Sequence, residues 1–161
     1  MAHSMVRPAR ESDTAGIAAV HVQAWREAYA HLMPATFLAG LDQGRRETGW
    51  RTIIADEVTD VLVALDGEKI IGWASAGSGR DGCAPTDREL EGIYVLAAAY
   101  GSGAGQQLLD AAIGDEPAFL WMADNNPRAE AFYRRNRFER DGAEKTESFG
   151  GASVRVVRLT R

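Results

Sequence analysis

Gly101-Ser102-Gly103-Ala104-Gly105 decides how this chain is read, because it lies between a strand-like run and an amphipathic helix. Before it, Glu89-Leu90-Glu91-Gly92-Ile93-Tyr94-Val95 alternates and carries aromatic and β-branched residues, the pattern of a strand. After it, Leu108, Leu109, Ala112 and Ile113 fall on one helical face. A glycine-rich turn opening a helix lets backbone N–H groups approach an anion, with the positive end of the helix dipole behind them. Taken alone, such a cluster serves equally as a tight strand-to-helix turn.

A second pattern follows at a spacing that makes sense of the first. Ala118-Phe119-Leu120-Trp121-Met122-Ala123 is nearly all apolar, as a buried strand is. Asn126 then suits a helix N-cap, and Pro127 suits the first helical position. The chain therefore reads strand, glycine turn, helix, strand, Asn-capped helix, with two parallel strands whose carboxyl ends form a crevice. Upstream, Asp13 can cap a helix that places Ile17, Val20, Ala24 and Ala28 together. Pro34 restarts a second helix with Phe37, Leu38 and Leu41, and a third turns Trp50, Ile53 and Ile54 inward. Val61–Leu65 runs into Asp66-Gly67 and returns through Lys69 to Ser75 as a hairpin. Residues 77–87 read as a loop, and two further strands lie near Lys145–Phe149 and Val154–Leu159. The expected class is α/β, a mixed sheet of six or seven strands with helices on both faces.

Composition narrows the function. The chain has 161 residues and a formal charge of −5, which argues against nonspecific nucleic-acid binding and mildly favours a cationic partner. The single cysteine, Cys83, leaves no internal disulfide and agrees with a reducing, cytoplasmic setting. No run is long enough to span a membrane, and no His/Cys/carboxylate spacing points to a metal. Met1-Ala2-His3-Ser4 reads as an expression scar before a native start at Met5, leaving residues 5–161 as one expected domain.

At these residues the sequence resembles the GNAT superfamily of acetyl-CoA-dependent N-acetyltransferases, over essentially the whole chain from Val6. Tyr100 through Gly105 matches the family's acyl-CoA signature, Gln/Arg-x-x-Gly-x-Gly/Ala, except at Tyr100. Asn126 through Phe138 matches its second signature, except that Arg137 stands where glycine is usual. The first departure shifts phosphate binding toward backbone N–H groups. The second leaves Asn136 as the residue best suited to a left-handed helix end. The resemblance implies a mostly antiparallel sheet with one splayed parallel pair. It implies acetyl-CoA held at Ile93, Tyr94, Val95, Tyr100, Gly101, Ser102, Gly103, Ala104, Gly105, Asn126, Ala129 and Phe132. The reaction implied is direct transfer of an acetyl group to a primary amine, without an acyl-enzyme.

Catalytic roles follow from the same resemblance. Tyr133 matches the tyrosine that reaches the CoA sulfur, and a phenol with an ordinary pKa near 10 is protonated at neutral pH. As a bare residue it serves equally as an aromatic anchor for its helix. Glu89 and Glu91 share one strand face under period-two geometry, and either can deprotonate the ammonium, often through a water. Glu89 matches the commoner family position; two solvated strand-end acids are the plain alternative. Trp25, Tyr29, His31 and Phe37 lie around the first helix junction, where the family builds acceptor specificity, though core packing is the commoner fate of such residues. His21 reads as a structural histidine. A small-molecule amine is the preferred acceptor, and homodimers are common among such proteins. A noncatalytic acyl-CoA-binding regulator and a peptide or protein acetylase remain the alternatives. A dinucleotide fold is rejected, because its glycines belong to the first βα turn.

Overall fold

The computed structural model describes Ser4–Arg161; residues 1–3, most of the expected scar, lie outside the described residues. Strand β1 (Met5–Pro8) leads through a 3-10 turn into helix α1 (Thr14–Tyr29), followed by α2 (Ala35–Ala39) and α3 (Gln43–Asp56). The hairpin of β2 (Asp60–Asp66) and β3 (Lys69–Gly77) precedes β4 (Glu89–Val95), α4 (Ala104–Ile113) and β5 (Phe119–Ala123). Helix α5 (Pro127–Arg135) and the hairpin of β6 (Glu139–Phe149) and β7 (Ala152–Thr160) complete the chain. The seven strands form one sheet in the order β1-β2-β3-β4-β5-β7-β6, antiparallel except for the β4/β5 pair.

The two faces follow from strand alternation. Val61, Val63 and Leu65 of β2 turn to one side, where Ile17, Ala18, Val20 and Ala24 of α1 and Trp50 of α3 cover them. Leu62 and Ala64 turn to the other side and meet Leu108, Leu109 and Ala112 of α4. A strand buried on both faces in this way must read as a continuous apolar run, and Val61–Leu65 does.

Several local expectations need correction. Ile53 is 37% exposed, because α3 turns only its Trp50 and Ile54 side toward the sheet. Asp13 stands at the start of α1 but makes no cap bond to it. Its carboxylate instead accepts Arg7 Nη1 and Nη2 at 2.7 and 3.0 Å and the Arg10 N–H at 2.7 Å. That guanidinium holds Asp13 below the usual carboxylate range. Strand β6 starts at Glu139, six residues before the expected Lys145. Almost the whole strand is solvent-exposed, so Glu139–Glu144 carries no apolar alternation to be read. At the end of α5 it is Arg137 that takes the left-handed conformation, with φ 69°. Asn136, at φ −101°, spends its amide N–H on the Phe132 carbonyl at 2.9 Å and its amide oxygen on Gln106 at 2.8 Å. A side-chain tie to α4 therefore outweighs the intrinsic αL preference of Asn.

Candidate functional site

The splay between β4 and β5 makes the site. The two strands are joined at a single register position, Glu89 with Phe119, and then separate. The Leu96 N–H donates to the Ile71 carbonyl at 2.9 Å, continuing the β3/β4 register in which Val95 faces Gly72. Antiparallel pairs alternate between bonded and non-bonded positions, so the N–H and C=O groups of Ile93 and Val95 point away from β3, into the splay. A cavity of about 530 Å³ opens there, within the range of small-ligand sites. Ile93, Tyr94, Val95, Tyr100, Gly101, Gly103, Gly105, Asn126, Ala129, Phe132 and Tyr133 all line it. Among the expected cofactor residues, Ser102 and Ala104 are absent from its wall; Ala104 is buried, and its N–H reaches Ser102 Oγ at 3.3 Å.

At the far end lies the glycine turn. Gly101 and Gly103 have φ 78° and 89°, which explains why glycine stands at both. A Cβ on Gly101 would meet nothing within 4 Å, and one on Gly103 only Gln107 Nε2 at 4.0 Å. The room kept clear is at the N-terminus of α4, where Gly105 and Gln106 N–H groups have no carbonyl behind them in the helix. Such a cradle fits a phosphate group. Asn126 occupies the N-cap position of α5, but the expected side-chain cap is not made; only its backbone carbonyl joins the helix, accepting the Glu130 N–H at 3.0 Å as the first intrahelical bond. The residue itself lines the cavity.

Tyr133 is half-buried beneath Phe132 and Phe138, and burial pushes its phenol well above the ordinary value. Nearby, Tyr29 and Tyr94 join their hydroxyls at 2.9 Å, and burial raises both phenols as well.

A second cavity meets the first. Tyr29, Glu91, Tyr94, Trp121 and Met122 line both. Its remaining wall brings Trp25, Arg80, Asp81, Glu89, Lys145, Glu147 and Phe149 together. The strict alternation that put Glu89 and Glu91 on one face is broken by a bulge: Leu90 pairs with Ala76 and Gly92 with Ser75, leaving Glu91 as the extra residue. Both carboxylates still reach Arg80, at 2.6 Å for Glu89 Oε2 and 3.2 Å for Glu91 Oε1. Their surroundings differ. Glu89 is 1% exposed, accepts both the backbone N–H and the guanidinium of Arg80, and touches only the second cavity. Glu91 touches both cavities, and burial raises its pKa despite the Arg80 charge.

Of the expected acceptor residues, Trp25 and Tyr29 line the second cavity, and the buried Trp25 indole N–H has no hydrogen-bond partner among the described residues. His31 and Phe37 line neither cavity. His31 Nε2 bonds the Asn125 carbonyl at 2.9 Å, and Phe37 packs against Phe149 and the hairpin turn at Gly150, so both brace the wall from outside. Arg80, Lys145, Glu147, Trp121 and Arg128 were not expected at the site. They come from a loop, two strands and a helix whose mutual approach leaves no spacing signal in the chain.

His21 supports the second cavity from behind. Its Nδ1 accepts the Trp50 indole N–H at 3.1 Å, and its ring lies among Trp25, Trp73 and Tyr94. Burial first, and the Arg46 charge second, lower its pKa from 6.5 to about 4. The unfolded chain therefore binds a proton that the folded chain refuses. Stability is fully present above pH 6.5 and declines toward pH 4, by up to about 3 kcal/mol. Melting temperatures of the wild type and His21→Gln across this window check it; their difference should shrink as pH falls, and a constant difference would refute the coupling.

The model of the acetyltransferase (GNAT) family matches residues 22–138 of this chain. An uncharacterized N-acetyltransferase of Bacillus subtilis (strain 168), YuaI, is 32% identical over 161 residues, covering 96% of this chain and 90% of its own length. Among solved structures, PaiA N-acetyltransferase from Thermoplasma acidophilum in complex with coenzyme A superposes with TM-score 0.70 at 16% identity, over 96% of this chain and 97% of that one. Ribosomal-protein-alanine N-acetyltransferase from Brucella melitensis does so with TM-score 0.73 at 22% identity, over 98% of each chain.

Proposed function

The chain belongs to the acetyltransferase (GNAT) family and is an acetyl-CoA-dependent N-acetyltransferase, and from that premise we propose that residues 5–161 form one domain that acetylates the primary amine of a small molecule, with Tyr133 as general acid and Glu91 as general base. The observation that carries this reading is the meeting of the two cavities at Glu91, Tyr94 and Tyr29. One cavity has the cradle for a phosphate; the other has carboxylates that attract a cation.

Bound acetyl-CoA supplies the activated acetyl group. For that ligand the cradle residues Gly101, Gly103 and Gly105, the amide of Asn126, and Ala129 and Phe132 are the holding residues. The backbone N–H groups of Ile93 and Val95, free of the sheet, are donors for a thioester carbonyl. In the second cavity Asp81, Glu89, Glu91 and Glu147 outnumber Arg80 and Lys145, which favours an ammonium-bearing acceptor. That ammonium must lose a proton before its nitrogen can attack. Glu91 is suited to take it, directly or through a water, because its raised pKa lies nearer working pH than that of a free carboxylate. Glu89, locked in its ion pair with Arg80, instead fixes the loop that closes the cavity.

Glu91→Gln at saturating acetyl-CoA is expected to lower kcat/KM for the amine about 100-fold near neutral pH. The deficit should shrink at higher pH, where more of the amine is already neutral. Acetyl-dependent thiol release across a panel of amines measures it. A pH-independent loss, or no loss, would remove Glu91 as base.

A further inference from the structure

Tyr100 stands at the one position where the glycine turn departs from the family pattern, and the structure shows what that tyrosine does. The Arg128 guanidinium lies over its ring, 3.4 Å from the centroid. Arg128 belongs to the first turn of α5, and Tyr100 closes the 3-10 turn that precedes Gly101, so the stack bridges the two segments that flank the cradle. Both residues line the cavity that holds Gly101, Gly103 and Gln106. Of the other arginines nearby, Arg134 and Arg140 pair with Glu130 and Arg137 with Asp115, whereas Arg135, on the same cavity wall, lies over Phe132 at a looser 6.0 Å from the ring centroid. Arg128 has no carboxylate partner among the described residues. Its guanidinium is held flat by an aromatic face while its N–H edge stays open to an anion, a combination a lysine ammonium cannot provide.

We propose that Arg128, positioned by Tyr100, binds a phosphate of the cofactor at the rim of the cradle. The proposal rests on the reading of the glycine turn as the phosphate site. In this arrangement the charge commonly carried by the first residue of the signature comes from α5, and the tyrosine keeps its place because its ring aims that charge. The pyrophosphate and the ribose 3′-phosphate of CoA offer the same chemistry; comparing CoA with 3′-dephospho-CoA separates them.

Calorimetric titration of the full chain with each ligand tests the assignment. Arg128→Gln should weaken CoA about tenfold, the worth of one partly solvated charge-assisted contact, and should lessen the salt dependence of binding. Tyr100→Phe should bind like the wild type, whereas Tyr100→Leu should lose most of what Arg128→Gln loses. Equal weakening of both ligands assigns Arg128 to the pyrophosphate, and weakening of CoA alone assigns it to the 3′-phosphate. Both residues are exposed, so melting temperatures should stay close to that of the wild type. Unchanged CoA affinity in Arg128→Gln, while Gly103→Val loses binding, overturns the proposal and leaves the cradle standing. Unchanged affinity in both variants overturns the cradle itself.

Discussion

Tyr133→Phe is expected to reduce kcat by 10²- to 10⁴-fold while leaving the Kd for acetyl-CoA within about twofold of the wild type. The ring that packs on Phe132 and Phe138 is retained, so the helix and the cavity wall keep their shape. Only the proton is lost. Burial raises the Tyr133 phenol, so it is protonated throughout any working pH. A raised phenol is by itself a poorer proton donor to the leaving thiolate. The same low-dielectric wall raises a thiol placed against it, however, which keeps donor and acceptor matched. Rapid-mixing and steady-state assays of CoA release, with a parallel binding titration, check the result. A kcat within a few-fold of the wild type would exclude Tyr133 as the acid; a loss confined to KM would recast it as a binding residue.

Gly103→Val is expected to weaken acetyl-CoA by on the order of 100-fold or more, a loss of about 2.7 kcal/mol of binding. Two effects combine. At φ 89° a β-branched residue is strained by about 1–3 kcal/mol, and its side chain projects beside the N–H groups at the start of α4. Strain alone could mimic a binding defect by loosening the turn, so a matched control is needed. Gly142 has φ 92° and equally open space at its Cβ, but lies in β6 away from either cavity. Gly142→Val should show the same drop in melting temperature with CoA affinity intact. Equal loss of affinity in both variants would mean that general strain, not a blocked cradle, is responsible.

The order of elements was legible because each carries a local cause. Val61–Leu65 is apolar throughout because both faces are covered, Asp66-Gly67 turns the hairpin, and the helical faces of α1 and α4 repeat at the period that packing requires. The glycine turn was legible for the same reason: positive φ at Gly101 and Gly103 is a demand of the backbone that only glycine meets cheaply. Tyr133, Asn126 and the strand segment Ile93–Val95 were placed through the resemblance, and they line one cavity.

Features that needed the tertiary structure share a different origin. The bulge at Glu91 arises from the register of β4 against β3, and no residue in β4 announces it. It separates two carboxylates that alternation treats alike, turning one toward the meeting of the cavities and leaving the other buried on Arg80. Arg80 itself arrives from a loop, and the Arg128–Tyr100 stack joins residues 28 positions apart across two elements. Arg137 adopts the conformation expected of Asn136 because Asn136 is drawn to Gln106 on another helix. The sequence by itself determined the elements, the glycine turn and the family, since these depend on backbone preferences and periodicity within a few residues. Which carboxylate lies where the two cavities meet, and which arginine stacks on Tyr100, were decided only by tertiary structure, because burial and charge pairing depend on residues distant in the chain.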